Sequence, residues 1–212
     1  MYLLPKSFFL NTDVVSLARQ LIGKMIRTEV DGQMTTAMIT ETEAYQAPED
    51  KASHAYNFRR TKRTQTMFLR GGHAYVYLNY GIHHLFNIVT GPEGLPHAVL
   101  IRAIIPVENQ VLQCERRKLI SPGWQIKDFD GPGKISQALG ITTRWDAVDL
   151  TNENAPVQLL DAGIMIEPDA ILARPRIGIP YAEEYIGKPW RFTLDQAMKF
   201  SAPGIISNSA GA

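Results

Sequence analysis

The stretch that most constrains the fold of this chain spans residues 73–105, HAYVYLNYGIHHLFNIVTGPEGLPHAVLIRAII. It holds three runs of apolar and aromatic residues, separated by NYG at 79–81 and GPEG at 91–94. Runs of this composition, bounded by Gly, Pro and Asn, are typical of strands joined by tight turns. The stretch therefore predicts two or three antiparallel strands at the centre of a sheet.

A second pair of strand-like runs lies on either side of Asp31-Gly32. This dipeptide favours a tight hairpin because both turn positions adopt positive φ. Before the hairpin, apolar residues recur at helical spacing between Thr12 and Gly23. Thr12 or Asp13 is placed to cap this predicted helix, and Gly23 is placed to end it.

The rest of the chain predicts shorter elements. We expect one helix from Pro106 to about residue 118 and another within residues 131–140. PVQLL, GIMIE and RIGIP, at 156–160, 163–167 and 176–180, are expected to be short strands. Since no repeat or linker divides the chain, we predict one α+β domain over residues 1–200 and a flexible tail over residues 201–212.

The composition of the 212 residues, 45% hydrophobic and 20% charged, is that of a soluble globular protein. No apolar run approaches the ~18 residues of a membrane span. The opening residues reach Pro5 and Lys6 before a signal-peptide core can form. The single cysteine, Cys114, has no partner for an internal disulfide, which fits a reducing compartment. We therefore expect a cytoplasmic protein with no membrane segment.

Basic residues concentrate in one segment, although the net charge of the chain is only +1. Residues 58–70, FRRTKRTQTMFLR, carry five basic side chains and no acid. Such a patch, interleaved with threonines and aromatic rings, suits contacts with phosphate groups. A solvated loop is the alternative interpretation of a charge run.

Histidines and glycines do not predict a metal or a phosphate loop. His54, His73, His83 and His84 lie near one another in sequence, but adjacent histidines in a strand face opposite sides. The chain has no His-Glu-x-x-His helix motif and no second cysteine. Its glycines do not follow the strand, loop and helix order of a phosphate-binding loop. We expect no metal site.

A strand over residues 39–45 places Ile39, Glu41, Glu43 and Tyr45 on one face. Strand geometry does not choose between the two glutamates as functional groups. Further tyrosines occur at 75, 77 and 80, and rings in strands are most often packing residues. Together with a carboxylate, however, they suggest a pocket for a flat ligand. Tyr80 lies at a predicted turn and is a candidate wedge between base pairs.

Several blocks occur in the order typical of one family. They are ETEAYQAPEDKASHA at 41–55, a loop rich in Thr and Arg that ends in MF at 67–68, YVYLNYG at 75–81, FNI at 86–88, VLIRA at 99–103 and GPGKISQAL at 131–139. With these blocks, the chain resembles the alkyladenine (3-methyladenine) DNA glycosylase family. The resemblance implies an α+β domain around a curved antiparallel sheet, or partial barrel, flanked by helices and carrying a protruding β-hairpin that inserts into DNA.

The resemblance also implies a reaction. Members of this family excise damaged purines such as 3-methyladenine, 7-methylguanine, hypoxanthine and ethenoadenine from double-stranded DNA by hydrolysis, and leave an abasic site. The resemblance implies no metal or organic cofactor. By matched position, Glu43 is the catalytic base that activates water and Arg102 helps to hold that water. Glu41 is then a structural partner for a basic residue.

Matched positions supply the pocket as well. Tyr45 and Tyr77 are the expected stacking walls for a flipped base, and His54 makes an edge contact. Asn87 is expected at the pocket floor, where it disfavours guanine by crowding its amino group. Tyr80 is the expected intercalating residue.

Four basic residues, Arg59, Arg60, Arg63 and Lys134, are expected to contact the DNA backbone. The chain departs from the family at Thr64, where an asparagine is common, and this departure questions the hydrogen bonds of that loop. The hairpin continues into His83-His84, a variable region of the family, so the breadth of substrates stays open.

Three alternatives stay open on the sequence. A bifunctional glycosylase would form a Schiff base through a lysine, for which Lys134 is the nominee. A non-catalytic binder of distorted or damaged DNA would use the same loop, tyrosines and hairpin. A small-molecule hydrolase would act on free nucleosides and would not bind duplex DNA in a salt-dependent way. Nothing in the sequence calls for more than a monomer.

Overall fold

An antiparallel sheet of nine strands organises the described part of the chain. The structure is a computed structural model that describes residues 1–120 and 123–195. The strands are β1 (Tyr2–Leu3), β2 (Met25–Val30), β3 (Gln33–Gln46), β4 (Ala74–Asn79), β5 (His83–Thr90), β6 (His97–Glu108), β7 (Val157–Asp161), β8 (Ile171–Arg174) and β9 (Arg191–Leu194). The predicted tail and the end of the predicted domain, residues 196–212, lie outside the described residues.

Four α-helices flank the sheet within the described residues. They are α1 (Lys6–Phe9), α2 (Val14–Gln20), α3 (Gln110–Arg116) and α4 (Pro132–Leu139). Short 3-10 helices occur at Tyr56–Phe58, Gln65–Phe68, Ile126–Phe129, Thr143–Trp145, Pro168–Ala170 and Glu183–Tyr185. The fold is a single α+β domain, as predicted.

The strand order is β1-β7-β2-β3-β6-β5-β4, and the sheet is open rather than a closed barrel. The long strand β3 pairs with β6 along one edge, while β2 and β9 share its other edge. Of the three strands predicted for the centre, β6 is central and β4 forms an edge of the sheet. The prediction was therefore wrong for β4, which has β5 on one side only in this order.

The turn and the helix caps that the sequence predicted are present at the ends of the strands and helices. Asp31 and Gly32 have φ values of 53° and 73° and join β2 to β3. The side chain of Asp13 accepts a hydrogen bond from the backbone N–H of Ser16 at 2.9 Å and caps α2. Gly140 ends α4 with a φ of 69°, as its position predicted.

Two predicted strands were wrong, and the helix expected from Pro106 to about residue 118 begins later, as α3 (Gln110–Arg116). Pro106 does not begin a helix, because β6 continues through it to Glu108 and pairs it with Ala37. The ladder has a register shift at that point, where a residue without an N–H group is tolerated. Residues 163–167 and 176–180 form no strand, and the last part of the sheet is built by β8 and β9 instead. Residues 176–180 form a loop.

Two β-bulges between β3 and β6 change the direction in which side chains of the candidate site point. Ile39 pairs with Ile104, Glu41 with Ala103 and Thr42 with Ile101, so Thr40 and Arg102 are both extra residues in the ladder. Such bulges shift the alternation of side chains between the two faces. The predicted shared face of Ile39 and the glutamates was wrong for this reason. Ile39 packs in the main core together with Ala44.

The main core lies between the sheet and helices α2 and α4, with large buried residues such as Phe9, Leu17 and Phe86. A smaller cluster, which includes Met67, Phe68 and Tyr75, lies under the loop that follows β3. Cys114 is buried in the main core and is a packing residue. The second cluster fixes the loop that carries His54 against β4, β5 and β6.

Candidate active site

One cavity of about 330 Å³ opens beside the smaller cluster. Six residues that the sequence nominated line it together: Tyr45, His54, Tyr77, Tyr80, Asn87 and Arg102. They come from β3, the following loop, β4, the turn after β4, β5 and β6. The antiparallel order of β6, β5 and β4 is what brings these distant positions around one space.

Glu43 is fully buried, and three residues that line this cavity, Tyr45, Arg102 and Ile177, contact its carboxylate. Its Oε2 atom accepts a hydrogen bond of 2.8 Å from the Tyr45 hydroxyl, and Arg102 Nη1 lies 3.4 Å from the same oxygen. Its Oε1 atom accepts the backbone N–H of Ile177 at 2.8 Å. A carboxylate oxygen can accept two hydrogen bonds, so Oε1, which accepts the Ile177 N–H, retains capacity for a second donor.

Glu41 holds the basic residues of the site, as the sequence predicted for a structural partner. Its Oε1 atom accepts hydrogen bonds from Arg102 Nε at 3.1 Å and Arg191 Nη1 at 3.0 Å. Burial raises the pKa of Glu41, and the two guanidinium groups oppose that effect. Arg102 therefore bridges two carboxylates, with Nε on Glu41 and Nη1 towards Glu43.

Aromatic rings form the walls of the cavity. The ring centroids of Tyr75 and Tyr77 are 5.3 Å apart, and the His54 ring meets the Tyr77 ring edge-on at 4.8 Å. Tyr45 packs against Ala52, Ile179 and Ala182. Burial, together with the Glu43 carboxylate, raises the pKa of Tyr45, so its hydroxyl stays protonated and donates to Glu43.

Asn87 is almost completely buried on β5 and lines the cavity. Its Nδ2 group donates to the backbone carbonyls of Tyr75 at 3.1 Å and Leu85 at 3.4 Å. These two bonds fix the orientation of the carboxamide. They also mean that the Asn87 side chain satisfies two backbone carbonyls of β4 and β5.

His54 is held as a neutral imidazole. Its Nε2 atom lies 3.3 Å from Nη2 of Arg63, which can only donate, so Nδ1 carries the proton and donates to the Tyr75 hydroxyl at 3.0 Å. Burial, and then the positive charge of Arg63, lower the pKa of His54 from 6.5 to about 4. The imidazole can therefore act as a neutral hydrogen-bonding edge at neutral pH.

This lowered pKa predicts a pH dependence of stability. Between pH 6.5 and about 4 the unfolded chain binds a proton at His54 that the folded chain does not. His54 therefore does not reduce the stability of the folded state above pH 6.5, but it reduces that stability progressively as the pH falls towards 4. We expect the melting temperature of His54→Gln to fall less than that of the wild type between about pH 7.5 and about pH 4.5. Equal losses would contradict this assignment, since His97, whose pKa is also lowered, is present in both proteins.

The turn between β4 and β5 projects two apolar side chains. Tyr80 is 90% exposed and has a φ of 50°, and Ile82 is 71% exposed. A large ring in this conformation at a turn has no packing role. Sequence reasoning nominated Tyr80 and missed Ile82.

The basic loop residues lie beside the cavity. Arg63 stacks 4.5 Å above the ring of Tyr77, and Arg60 lies 5.0 Å from the ring centroid of Phe68. Arg59, Arg63 and Lys51 line a second groove, which shares His54 and Tyr181 with the first cavity. A cationic groove therefore continues from the mouth of the aromatic cavity.

Thr64, where the family commonly has an asparagine, makes hydrogen bonds within the basic loop. Its hydroxyl donates to the carbonyl of Arg59 at 2.8 Å and accepts the backbone N–H of Thr61 at 2.8 Å. The loop is thus closed by threonine. Lys134 donates its Nζ to the carbonyl of Lys127 at 2.8 Å and is not among the residues that line the cavity.

Two further comparisons with the predictions concern absences. Within residues 1–120 and 123–195, no group of three or more His, Cys, Asp and Glu side chains could hold a metal ion. No helix in the same residues is long and apolar enough to cross a membrane.

Sequence reasoning missed the residues that surround Glu43 from the other side. Arg176 and Asp50 form a fully buried ion pair, and the N–H of Ile177 binds Glu43. Tyr181 is 61% exposed at the mouth of both cavities. The strand predicted for residues 176–180 did not indicate this contact. These residues form a loop, and the loop turns the Ile177 N–H towards the Glu43 carboxylate.

Comparison with known proteins identifies the chain as a member of a DNA glycosylase family. The family model of the methylpurine-DNA glycosylases matches residues 8–198, and the chain belongs to this family. A Chlamydia abortus protein named "Putative 3-methyladenine DNA glycosylase" is 47% identical over 196 residues, which cover 91% of this chain and 98% of that protein. Proteins of the same name from Chlamydia pneumoniae and Bacillus cereus (strain B4264) are 46% and 43% identical, over 91% and 89% of this chain and 95% and 93% of theirs. The family supports a role as a DNA 3-methyladenine glycosylase and implies DNA as the substrate.

Proposed function

We propose that this chain is a monofunctional glycosylase of base-excision repair, which flips a damaged purine out of duplex DNA and hydrolyses its N-glycosidic bond. The substrates are purines of the 3-methyladenine, 7-methylguanine, hypoxanthine and ethenoadenine class. The observation that carries the proposal is the buried Glu43, whose carboxylate contacts Tyr45 and Arg102, two residues that line an aromatic cavity. The protein acts as a monomer in the cytoplasm, without metal or organic cofactor.

Base flipping requires compensation for the lost stacking in the duplex, a cost of about a few kcal/mol. Stacking of the flipped base on an aromatic ring contributes about 1 to 3 kcal/mol. Tyr45 and Tyr77 supply such rings, and the neutral His54 supplies a polar edge beside them. Tyr80 fills the space that the flipped nucleotide leaves in the duplex.

Hydrolysis then uses the carboxylate of Glu43. It accepts a proton from water as that water attacks C1′ of the sugar, and its negative charge stabilises the oxocarbenium-like transition state. Arg102 orients the same water through Nη1, while its Nε remains on Glu41. The Tyr45 hydroxyl and the Ile177 N–H hold the carboxylate in place from two sides.

A hydrolytic rather than a lyase reaction is supported by the position of the lysines. A lyase needs an amine within reach of C1′ to form a Schiff base. None of the lysines in the described part of the chain lines the cavity, and Lys134 bonds to a backbone carbonyl away from it.

Binding to the DNA backbone falls to the groove that adjoins the cavity. Arg59 and Arg63, which line this groove, contact phosphates there. Arg60 of the same loop and Lys134 at the start of α4 supply further phosphate contacts. Each neutralised phosphate releases counterions, so the affinity for duplex DNA falls steeply as salt rises.

The proposal is tested by base release from short duplexes that carry one hypoxanthine or one ethenoadenine. We expect strand breaks only after treatment with alkali, because hydrolysis leaves an intact abasic site. Borohydride added during the reaction is expected to trap no covalent adduct. Tight binding of the damaged duplexes without release from any methylated or deaminated purine would favour the non-catalytic binder.

The role of Asn87 gives a separate prediction. Replacing Asn87 by Ser removes the carboxamide that would crowd the amino group of guanine, so excision of undamaged guanine is expected to rise by about tenfold. The rate on hypoxanthine is expected to change less. The ratio of the two single-turnover rates is the measurement, and an unchanged ratio would assign Asn87 to its backbone hydrogen bonds alone.

A further inference from the structure

A buried ion pair lies directly behind the base cavity. The guanidinium of Arg176 binds the two carboxylate oxygens of Asp50 at 2.5 and 2.8 Å, and both side chains are completely buried. Nη1 of Arg176 also donates to the carbonyl of Ala44 on β3 at 2.8 Å. Asp50 in turn accepts the backbone N–H groups of Gln46 and Ala52. One pair thus joins the end of β3, the loop that leads to His54 and the loop that contains Ile177.

Arg176 supports two components of the site, one through its own side chain and one through the next residue in the chain. Its guanidinium carbon lies 4.7 Å from the ring centroid of Tyr45 and 5.1 Å from that of Trp190, so it supports the tyrosine ring from behind. The next residue in the chain, Ile177, donates its N–H to Glu43 at 2.8 Å. Fixing Arg176 therefore fixes both a wall of the base cavity and a hydrogen bond to the carboxylate.

Stability alone is a poor explanation for this pair. A buried ion pair is often no more stabilising than a well-packed apolar pair of the same volume. The Nε group of Arg176 has no acceptor among the residues that the structure describes, which adds an unmet buried donor. An arginine at this position is better explained by geometry, because its planar group binds both oxygens of Asp50 and also stacks on Tyr45.

We propose that Asp50 and Arg176 are positioning residues for base excision, acting through Tyr45 and Ile177. They touch neither the base nor the sugar, and they set where the ring and the N–H group lie when the damaged purine enters. This inference rests on the proposed glycosylase function. Displacement of a positioned group by about 1 Å can slow a reaction by about 100-fold, so loss of the pair can lower the excision rate measurably.

The test replaces both charges together. In the double variant Asp50→Leu, Arg176→Met the two buried charges leave at once, and we expect a melting temperature within a few degrees of the wild type. The single-turnover rate of hypoxanthine excision is expected to fall by about 10- to 100-fold. Affinity for a duplex with a reduced abasic site, which has no base to excise, is expected to stay within about twofold.

A control is the partly exposed ion pair of Lys24 and Asp161, whose Nζ and Oδ2 atoms are 2.5 Å apart and which does not line the cavity. The double variant Lys24→Met, Asp161→Leu is expected to keep the wild-type excision rate. If the Asp50 and Arg176 variant also keeps it, the positioning role is overturned while the glycosylase function stands. If the wild type itself releases no base, the proposed function fails and the positioning role fails with it.

If the double variant does not fold, the single variant Arg176→Lys tests the positioning role instead. Lysine keeps the charge next to Asp50 but cannot bind both oxygens in a plane or stack on Tyr45. A slower single-turnover rate with unchanged affinity for the abasic duplex supports the positioning role. A wild-type rate from the folded lysine variant overturns it, since a charge alone would then suffice.

Discussion

Glu43→Gln is expected to lower the single-turnover rate of hypoxanthine excision by about 100- to 10,000-fold, the range of general base catalysis. Glutamine keeps one oxygen, which can accept the Ile177 N–H, and its amide can donate to the Tyr45 hydroxyl. The cavity therefore keeps its shape while the carboxylate that takes the proton is lost. Binding of a damaged duplex is expected to stay within a few-fold of the wild type.

Glu41→Gln is the matched control for this prediction. Glu41 lies on the same strand and is also buried, but its hydrogen bonds go to Arg102 and Arg191, whereas those of Glu43 go to Tyr45 and Ile177. We expect a loss of about tenfold or less, through looser positioning of Arg102. Equal losses for the two variants would contradict the assignment of Glu43 as the base.

Tyr80→Ala is expected to lower excision from fully paired duplexes by about 10- to 100-fold. Stacking of one base on a ring is worth about 1 to 3 kcal/mol, and the variant can no longer fill the space of the flipped nucleotide. The melting temperature is expected to be unchanged, because the side chain is 90% exposed.

The nature of the substrate separates an intercalating role from a general loss of activity. In single-stranded DNA, or opposite a bulge, the damaged base is already unstacked, so a wedge contributes little. The ratio of wild-type to variant rates is therefore expected to approach one on those substrates. A deficit of the same size on paired and unpaired substrates would contradict the intercalating role of Tyr80.

Much of the architecture was predictable because it depends on local signals. The Asp31-Gly32 turn, the Asp13 cap and Gly140 each act through the backbone of their own segment. The helix expected from Pro106 begins only at Gln110, because pairing of residues 106–108 with β3 is a long-range effect that overrides a local signal.

The site was only partly predictable. Blocks shared with the family nominated Tyr45, His54, Tyr77 and Asn87, and the strand order brings these residues to one cavity. Asp50 and Arg176 are 126 positions apart, and no spacing within either segment indicates that they meet. The bulges at Thr40 and Arg102 were equally hidden, because they arise from the pairing of two strands rather than from the residues of one.

The most direct test of the account is to quantify free base and abasic strand after the wild type and Glu43→Gln act on a duplex with one hypoxanthine. We predict one free hypoxanthine and one intact abasic strand for each duplex that the wild type consumes, and almost none from Glu43→Gln at equal binding. Equal release from both proteins would contradict the role of Glu43. If neither protein releases base from hypoxanthine, ethenoadenine or methylated DNA, the glycosylase function itself is contradicted.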